Sequence, residues 1–481
     1  MNGTLFQAFE WYLSDGGNFY QKMTNRIKEL KEIGVSSIWL PPVFKATGVN
    51  DTGYGTYDLY DLGEFDQKGS IRTKYGKKEE LQKLIKTAHD NNLRVYADVV
   101  LNHKAGADET EKFTAVMVDK NNREKEVEKP KEIEGWTKFN FNGRKDQYSD
   151  FKWNYHHFSG VDYDNKTGIN AIFKILGENK GWNKGVSYEN GNFDYLMFAD
   201  INLAHPQVKK ELKSWALWFI EQLNLDGFRF DALKHMDQVF IKELIEHIKA
   251  KKGDDFYIMG EYWQNDIDEN NRFLDAVDYK ADIFDVGLHF NLNRASKLGA
   301  DYDLRKIFEN TIVQSHPLIA VTFVDNHDSQ PNQSLESFVE DWFKEIAYAL
   351  ILLRKDGYPC IFYGDYYGLK DRRNFKNEIA RLSKIRNKFC YGNQDDYFNE
   401  KNCIGWLRHG DQKHPHKCAV VISNKDKSKI KMFVGKNEAN KIYADYIGNS
   451  DAKIKIDEEG YGLFEANPNS VSVWIEDNQY L

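Results

Sequence analysis

Cysteine is scarce in this chain of 481 residues: there are four, Cys360, Cys390, Cys403 and Cys418, all in the last third and none in a CxxC spacing. That argues against a disulfide framework or a zinc site and points to reduced thiols. Long apolar runs are missing as well. The longest, residues 346–353, lies between Glu345 and Arg354, far short of the ~18 residues a membrane-crossing helix needs. No basic and then apolar leader pattern precedes the first lysine, Lys22, so the expected location is the cytoplasm. Positive charge is not in excess. The 66 Lys+Arg against 74 Asp+Glu leave a net charge of −8, which offers nothing to a phosphate backbone, so neither nucleic acid nor membrane is expected as a partner. No Gly-rich GxGxxG turn follows the first apolar segment, which disfavours an open dinucleotide-binding sheet.

What is present describes a globular protein: 41% hydrophobic and 29% charged residues, enough to bury a substantial core. At roughly 150 residues per domain the length suits about three domains, or one large barrel with attachments. The 31 Phe, 27 Tyr and 11 Trp exceed what such a core obviously needs, and stacking on ligands is one use for the surplus.

Short apolar segments alternate with helical periodicity along most of the chain. Strands are expected at residues 5–9, 35–40, 93–101, 227–231, 256–261, 283–288, 318–324 and 360–363. Helices with apolar residues at 3.6 spacing separate several of them, such as Met23, Ile27 and Leu30, or Leu212, Trp215 and Phe219. Eight strands with helical crossovers close most economically into a (β/α)₈ TIM barrel, whose active site lies at the C-terminal ends of the strands. Between His103 and Pro206 the alternation fails over a stretch too long for a bare loop, so a domain is inserted after the third strand. Beyond residue 392 short alternating segments without helices predict a C-terminal antiparallel β-sandwich. The expected division is therefore 1–102 and 207–392 for the barrel, 103–206 for the insertion and 393–481 for the sandwich.

Polar residues at the ends of apolar barrel strands are the candidates for chemistry. The third strand ends Asp98-Val99-Val100-Leu101-Asn102-His103, the fourth runs Arg229-Phe230-Asp231 into Lys234-His235, the fifth ends Glu261-Tyr262-Trp263 and the seventh Asp325-Asn326-His327-Asp328. A barrel gathers these ends at one mouth, which places Asp231, Glu261 and Asp328 together with Arg229, His103 and His327. Carboxylates crowded in one cleft repel, so one should hold a proton while an arginine keeps another ionised. Glycosidic bond cleavage uses that asymmetry, with an acid for the leaving oxygen and a carboxylate for the anomeric centre.

In order and context these four segments resemble the signature regions of the α-amylase family of glycoside hydrolases. Gly53-Tyr54-Gly55, Tyr57-Asp58-Leu59-Tyr60-Asp61, Asp194-Tyr195-Leu196-Met197 and Gly364-Asp365-Tyr366-Tyr367-Gly368 are similar to the bacterial liquefying and cytoplasmic members, nearly end to end. The resemblance implies Asp231 as nucleophile, Glu261 as general acid/base and Asp328 as the carboxylate that grips the sugar. It also implies Arg229 as the partner of Asp231, His103, His327 and Tyr54 on the sugar in the cleavage subsite, and Lys234, His235 and Trp263 on the leaving-group side. It further implies one Ca²⁺ held by Asn102, Asp194, Asp200 and the carbonyl of His235. Ser159 and Asn183 stand where close relatives have aspartates for neighbouring ions, and Asn399-Glu400-Lys401-Asn402 lacks the pattern of a third site, so one calcium is expected.

The expected activity is endo-acting, retaining hydrolysis of α-1,4 bonds in starch, glycogen or maltodextrins by a monomer. A 4-α-glucanotransferase or an α-1,6-acting relative shares the three carboxylates, and an inactive glucan-binding protein is the rival from another class. A sugar-phosphate barrel enzyme is a weaker alternative. Trp136, Trp153 and Trp182 in the insertion are expected to pack its core, and residues 121–134 to form a solvated hairpin.

Overall fold

The computed structural model describes residues 2–479, and eight parallel strands close into a barrel at its centre. In chain order they are β1 (Leu5–Gln7), β2 (Ser37–Leu40), β3 (Arg94–Val99), β4 (Gly227–Phe230), β5 (Tyr257–Gly260), β6 (Asp282–Phe284), β7 (Ala320–Phe323) and β8 (Tyr358–Phe362). Each pairs with the next, and β8 closes on β1 with Leu5 opposite Cys360. Nearly every strand residue is buried, as expected when helices cover the outside and side chains fill the inside.

All eight overlap the segments their apolar runs predict, and the sixth departs most. Expected over 283–288, it stops at Phe284 because Asp285 turns the chain. Asp285 Oδ1 accepts from Leu288 N at 2.9 Å and Oδ2 from Val313 N at 2.7 Å, which caps the helix Val286–Leu298. The apolar residues after the strand thus continue as helix, an ambiguity that a short apolar run leaves open.

Outer helices bury the stripes their spacing marks out. The helix Pro206–Leu223 presents Trp215 and Phe219, stacked at 5.1 Å, and Phe219 stacks in turn on Phe228 of β4 at 5.7 Å. Truncating either ring would cost about 3–5 kcal/mol and loosen β4, which carries Arg229 and leads to Asp231.

Between β3 and that helix the chain builds a separate antiparallel sheet, including Glu109–Asp119, Lys131–Lys138, Phe158–Asp164, Ile169–Ile175 and Ala199–Ile201. Its root is at the barrel mouth, where Asp200 pairs with His103 just beyond the end of β3. Of the hairpin expected at 121–134, the strand Asn122–Glu126 is largely solvent-exposed, but residues 131–134 belong to the strand Lys131–Lys138, which pairs with Glu109–Asp119 rather than with Asn122–Glu126 and buries Ile133.

The C-terminal region is β-rich. A six-stranded antiparallel sheet (Gln394–Glu400, Cys403–Arg408, Cys418–Ser423, Ser470–Glu476, Ile442–Asp445, Lys453–Lys455) accompanies the pair Ser428–Phe433 and Tyr461–Ala466, with Val421, Met432, Phe464 and Trp474 packed in one cluster. Arg354 ties it to the barrel by a two-point bond to Asp396 at 2.7 and 2.9 Å. Asn424 and Asn402 side-chain amides donate to the carbonyls of Gly299 and Ala300 at 2.8 and 2.7 Å. All four cysteines are buried free thiols. Among the described residues no helix is long and apolar enough to cross a membrane.

Candidate active site

Arg229 organises the mouth of the barrel. Fully buried on β4, it donates from Nη1 to both oxygens of Asp98 at 3.0 and 3.1 Å and to Asp231 Oδ1 at 2.6 Å, and Nη2 reaches Glu261 Oε2 at 3.4 Å. One guanidinium therefore faces three carboxyls from the ends of β3, β4 and β5. After Asp231 the backbone is strained: Ala232 adopts φ +53°, uncommon for a residue with a Cβ. That turn aims Ala232 N at Glu261 Oε2, 3.1 Å away. At Gly260 a Cβ would come within 2.1 Å of Leu233 Cδ1, so glycine lets the fifth strand end close against the fourth.

Asp328 joins the group through His327, whose Nε2 lies 3.3 Å from Asp328 Oδ2, while Gln7 Nε2 donates to His327 Nδ1 at 3.0 Å. Tyr54 donates its hydroxyl to Asp98 at 3.0 Å, and its ring lies 5.2 Å from that of His327 and nearly parallel to it. His103 donates from Nε2 to the Tyr54 carbonyl at 2.8 Å and keeps Nδ1 unpartnered. Thus Asp231, Glu261, Asp328, Arg229, Tyr54 and His327 converge, with His103 against Tyr54.

Burial sets the proton inventory. It pushes the Glu261 carboxyl up to about 8, with Arg229 pulling down and the charges of Asp231 and Asp328 pushing up. Burial likewise raises Asp328 and Asp98 to about 7, again against Arg229. His103 is lowered by burial, and His327 well below its ordinary range by burial and Arg229. At neutral pH Glu261 therefore keeps its proton beside Asp231, which is bonded to the arginine: a proton donor next to a carboxylate held by a cation.

The other expected residues lie on the flank. Lys234 bonds the Glu189 carboxylate of the inserted segment and the Trp263 carbonyl at 3.3 Å. His235 donates from Nδ1 to Phe193 O at 2.8 Å. Asn102, Asp194 and Asp200 are buried where the inserted sheet meets the barrel. Both Asp200 oxygens lack a hydrogen-bond partner, and burial, then the neighbouring Asp194, raises its carboxyl well above the ordinary range. The bare oxygens of buried Asp200, next to the Asp194 carboxyl, fit a hard cation. Among the described residues no three His, Cys, Asp or Glu side chains are placed to hold a metal ion by themselves, so a cation here would also need the amide and carbonyl oxygens. Asn183 donates to both Asp194 oxygens, at 2.8 Å from N and 2.9 Å from Nδ2.

Several participants escape a motif reading. Trp39 Nε1 donates to Asp98 at 3.0 Å, Trp11 stacks on Tyr54 at 5.6 Å, and Glu189 holds Lys234. Gln7 was detectable, as a polar residue at the end of an apolar strand. The core-packing expectation holds for Trp153 and Trp182 but fails for Trp136, which is 45% exposed and lines a cavity of about 210 Å³ with Tyr163 and Phe198. Its strand is at the surface, so the alternating side faces out.

Comparison with known proteins gives the family. The family described as Alpha amylase, catalytic domain matches residues 14–446. The chain belongs to the α-amylase family. The family described as Alpha-amylase C-terminal matches residues 418–475 of the β-rich end. Among relatives of this α-amylase chain, the glucan 1,4-alpha-maltohexaosidase of Bacillus sp. (strain 707) is 46% identical over 98% of this chain and 92% of its own length. The alpha-amylase of Bacillus licheniformis is 45% identical (99% and 94%), and the cytoplasmic alpha-amylase of Escherichia coli (strain K12) is 41% identical (98% and 99%). A solved Anoxybacillus alpha-amylase aligns over 100% of this chain and 99% of its own, with a TM-score of 0.66 and 17% identity, a likeness of fold.

Proposed function

We propose that the chain is an endo-acting, retaining hydrolase of α-1,4-glucosidic bonds in starch, glycogen or maltodextrins. The observation that carries this reading is the Arg229 hub, which holds Asp231 at 2.6 Å while Glu261 beside it is raised to about 8. Asp231 attacks the anomeric carbon as the nucleophile. Glu261 gives its proton to the leaving oxygen, then takes one from the water that opens the glycosyl ester. Asp328, with His327, binds ring hydroxyls and favours the distorted, positively charged sugar of the transition state. Tyr54 and His103 line the subsite of that sugar, and Lys234, His235 and Trp263 the side of the leaving chain.

The same reading assigns a Ca²⁺ to Asn102, Asp194, Asp200 and the His235 carbonyl. Its contribution when bound is to neutralise the buried carboxylates and pin the inserted segment to the barrel; none of the bond-breaking passes through it. The barrel at 1–102 and 207–392 carries the chemistry, 103–206 forms one wall of the cleft, and 393–481 packs beside the barrel.

The test is hydrolysis of soluble starch and maltoheptaose by the wild type and by Asp231→Asn, with proton NMR of the new reducing ends. α-Anomers first and an Asp231→Asn variant down by a factor of about 10³ or more are expected. β-Anomers first would make the enzyme inverting, and products longer than the substrate in place of new reducing ends would make it a transferase.

A further inference from the structure

We propose that Tyr188 is the sugar platform on the leaving-group side of the cleft, the surface on which a glucose unit beyond the scissile bond stacks. The assignment rests on the hydrolase reading above and deepens it.

Tyr188 is 72% exposed, and neither its ring nor its hydroxyl has a partner among the described residues. An uncovered tyrosine on a loose loop would mean little. This one sits on a turn fixed from three directions. Gly191 N donates to Tyr188 O at 3.0 Å, and Asn190 and Gly191 both adopt positive φ, +53° and +81°. Ser187 N donates to Lys234 O at 3.1 Å and Ser187 Oγ to the Glu269 carboxylate, which ties the turn to the barrel. Arg123 N donates to Asn190 O at 2.8 Å, which ties it to the inserted sheet. The ring is therefore held out with little freedom of its backbone, the condition under which an exposed aromatic binds at low entropic cost.

Its place gives the occupant. The next residue, Glu189, bonds Lys234, and Lys234 bonds the carbonyl of Trp263, two residues past Glu261. Glu261 protonates the leaving oxygen, so the flank built from Lys234, Trp263 and Glu189 is where the departing chain lies. A glucopyranose offers an apolar C–H face to an aromatic ring. The same surface holds an acceptor in the second half of the reaction. There the C1–O bond to Asp231 breaks as an oxygen bonds C1 and passes its proton to Glu261. Water gives hydrolysis, and the O4 hydroxyl of a glucose held on Tyr188 gives a new α-1,4 bond.

The test compares wild type, Tyr188→Ala and Tyr188→Phe on maltoheptaose and on α-maltotriosyl fluoride, whose fluoride places no sugar on the leaving side. Losing the ring should lower kcat/KM on maltoheptaose roughly three- to tenfold, with a far smaller change on the fluoride and a smaller share of elongated products at high sugar concentration. Tyr188→Phe, which keeps the ring, should stay close to wild type. An exposed position makes misfolding no obstacle. Equal losses on both substrates, or none on maltoheptaose, would overturn the assignment while leaving the hydrolase reading intact. A wild type inert on both substrates would overturn both.

Discussion

Replacing Arg229 by lysine separates the positive charge from the geometry that delivers it. Arg229 uses Nη1 for Asp98 and Asp231 and Nη2 for Glu261, whereas a lysine brings one ammonium nitrogen that cannot serve all three from one place. Hydrogen bonds to charged groups are worth about 1.5–3 kcal/mol each, so losing two costs about 3–6 kcal/mol. If that support matters most when the nucleophile reacts, kcat/KM falls by about 10²–10⁴, at about 1.4 kcal/mol per tenfold. There is also a pH signature. Arg229 pulls down the carboxyls of Asp98, Glu261 and Asp328 against burial; with a weaker hold Glu261 keeps its proton to higher pH, and the alkaline limb of kcat/KM moves up. The assay is initial rates on maltoheptaose across pH, with far-UV circular dichroism to establish folding. A folded Arg229→Lys variant within tenfold of wild type, with an unmoved alkaline limb, would refute the hub argument.

Three further outcomes are expected. Glu261, raised to about 8, is protonated below that pH and loses its proton above it, so wild-type kcat/KM should decline on the alkaline side near 8. Asp328→Asn removes one of the negative charges that raise Glu261, so the residual activity should show that limb at lower pH, and an unshifted limb in the pH series would contradict the electrostatic account. Chelation should lower the calorimetric unfolding temperature and added Ca²⁺ restore it, with about 4 kcal/mol at stake when Ca²⁺ exceeds Kd a thousandfold; Asp200→Asn should abolish the response, and a wild type indifferent to chelator would remove the cation from the proposal.

Much of the barrel was legible because its strands are buried on both faces and announce themselves as apolar runs bounded by polar ends. Asp231, Glu261 and Asp328 were legible for the same reason, as acids where a packed interior has no other use for them. The misreadings have local causes. Asp285 ends β6 with two backbone hydrogen bonds, one of them to Val313, 28 residues away, and no apolar pattern encodes that partner. Trp136 is one of many aromatics in the inserted sheet, and which face of a strand meets solvent depends on what packs against it.

The sequence by itself determined the alternation that closes into a barrel, the place of the insertion and the residue types at each strand end, since all of these follow from apolar periodicity and short-range chain geometry. Only the tertiary structure decided who shares Arg229, that Gln7 and Asp328 meet on opposite sides of one imidazole, and that Glu189 reaches Lys234 across the cleft wall. Most of those contacts join residues far apart in the chain. Their energies depend on burial and distance, and both exist only once the barrel has closed.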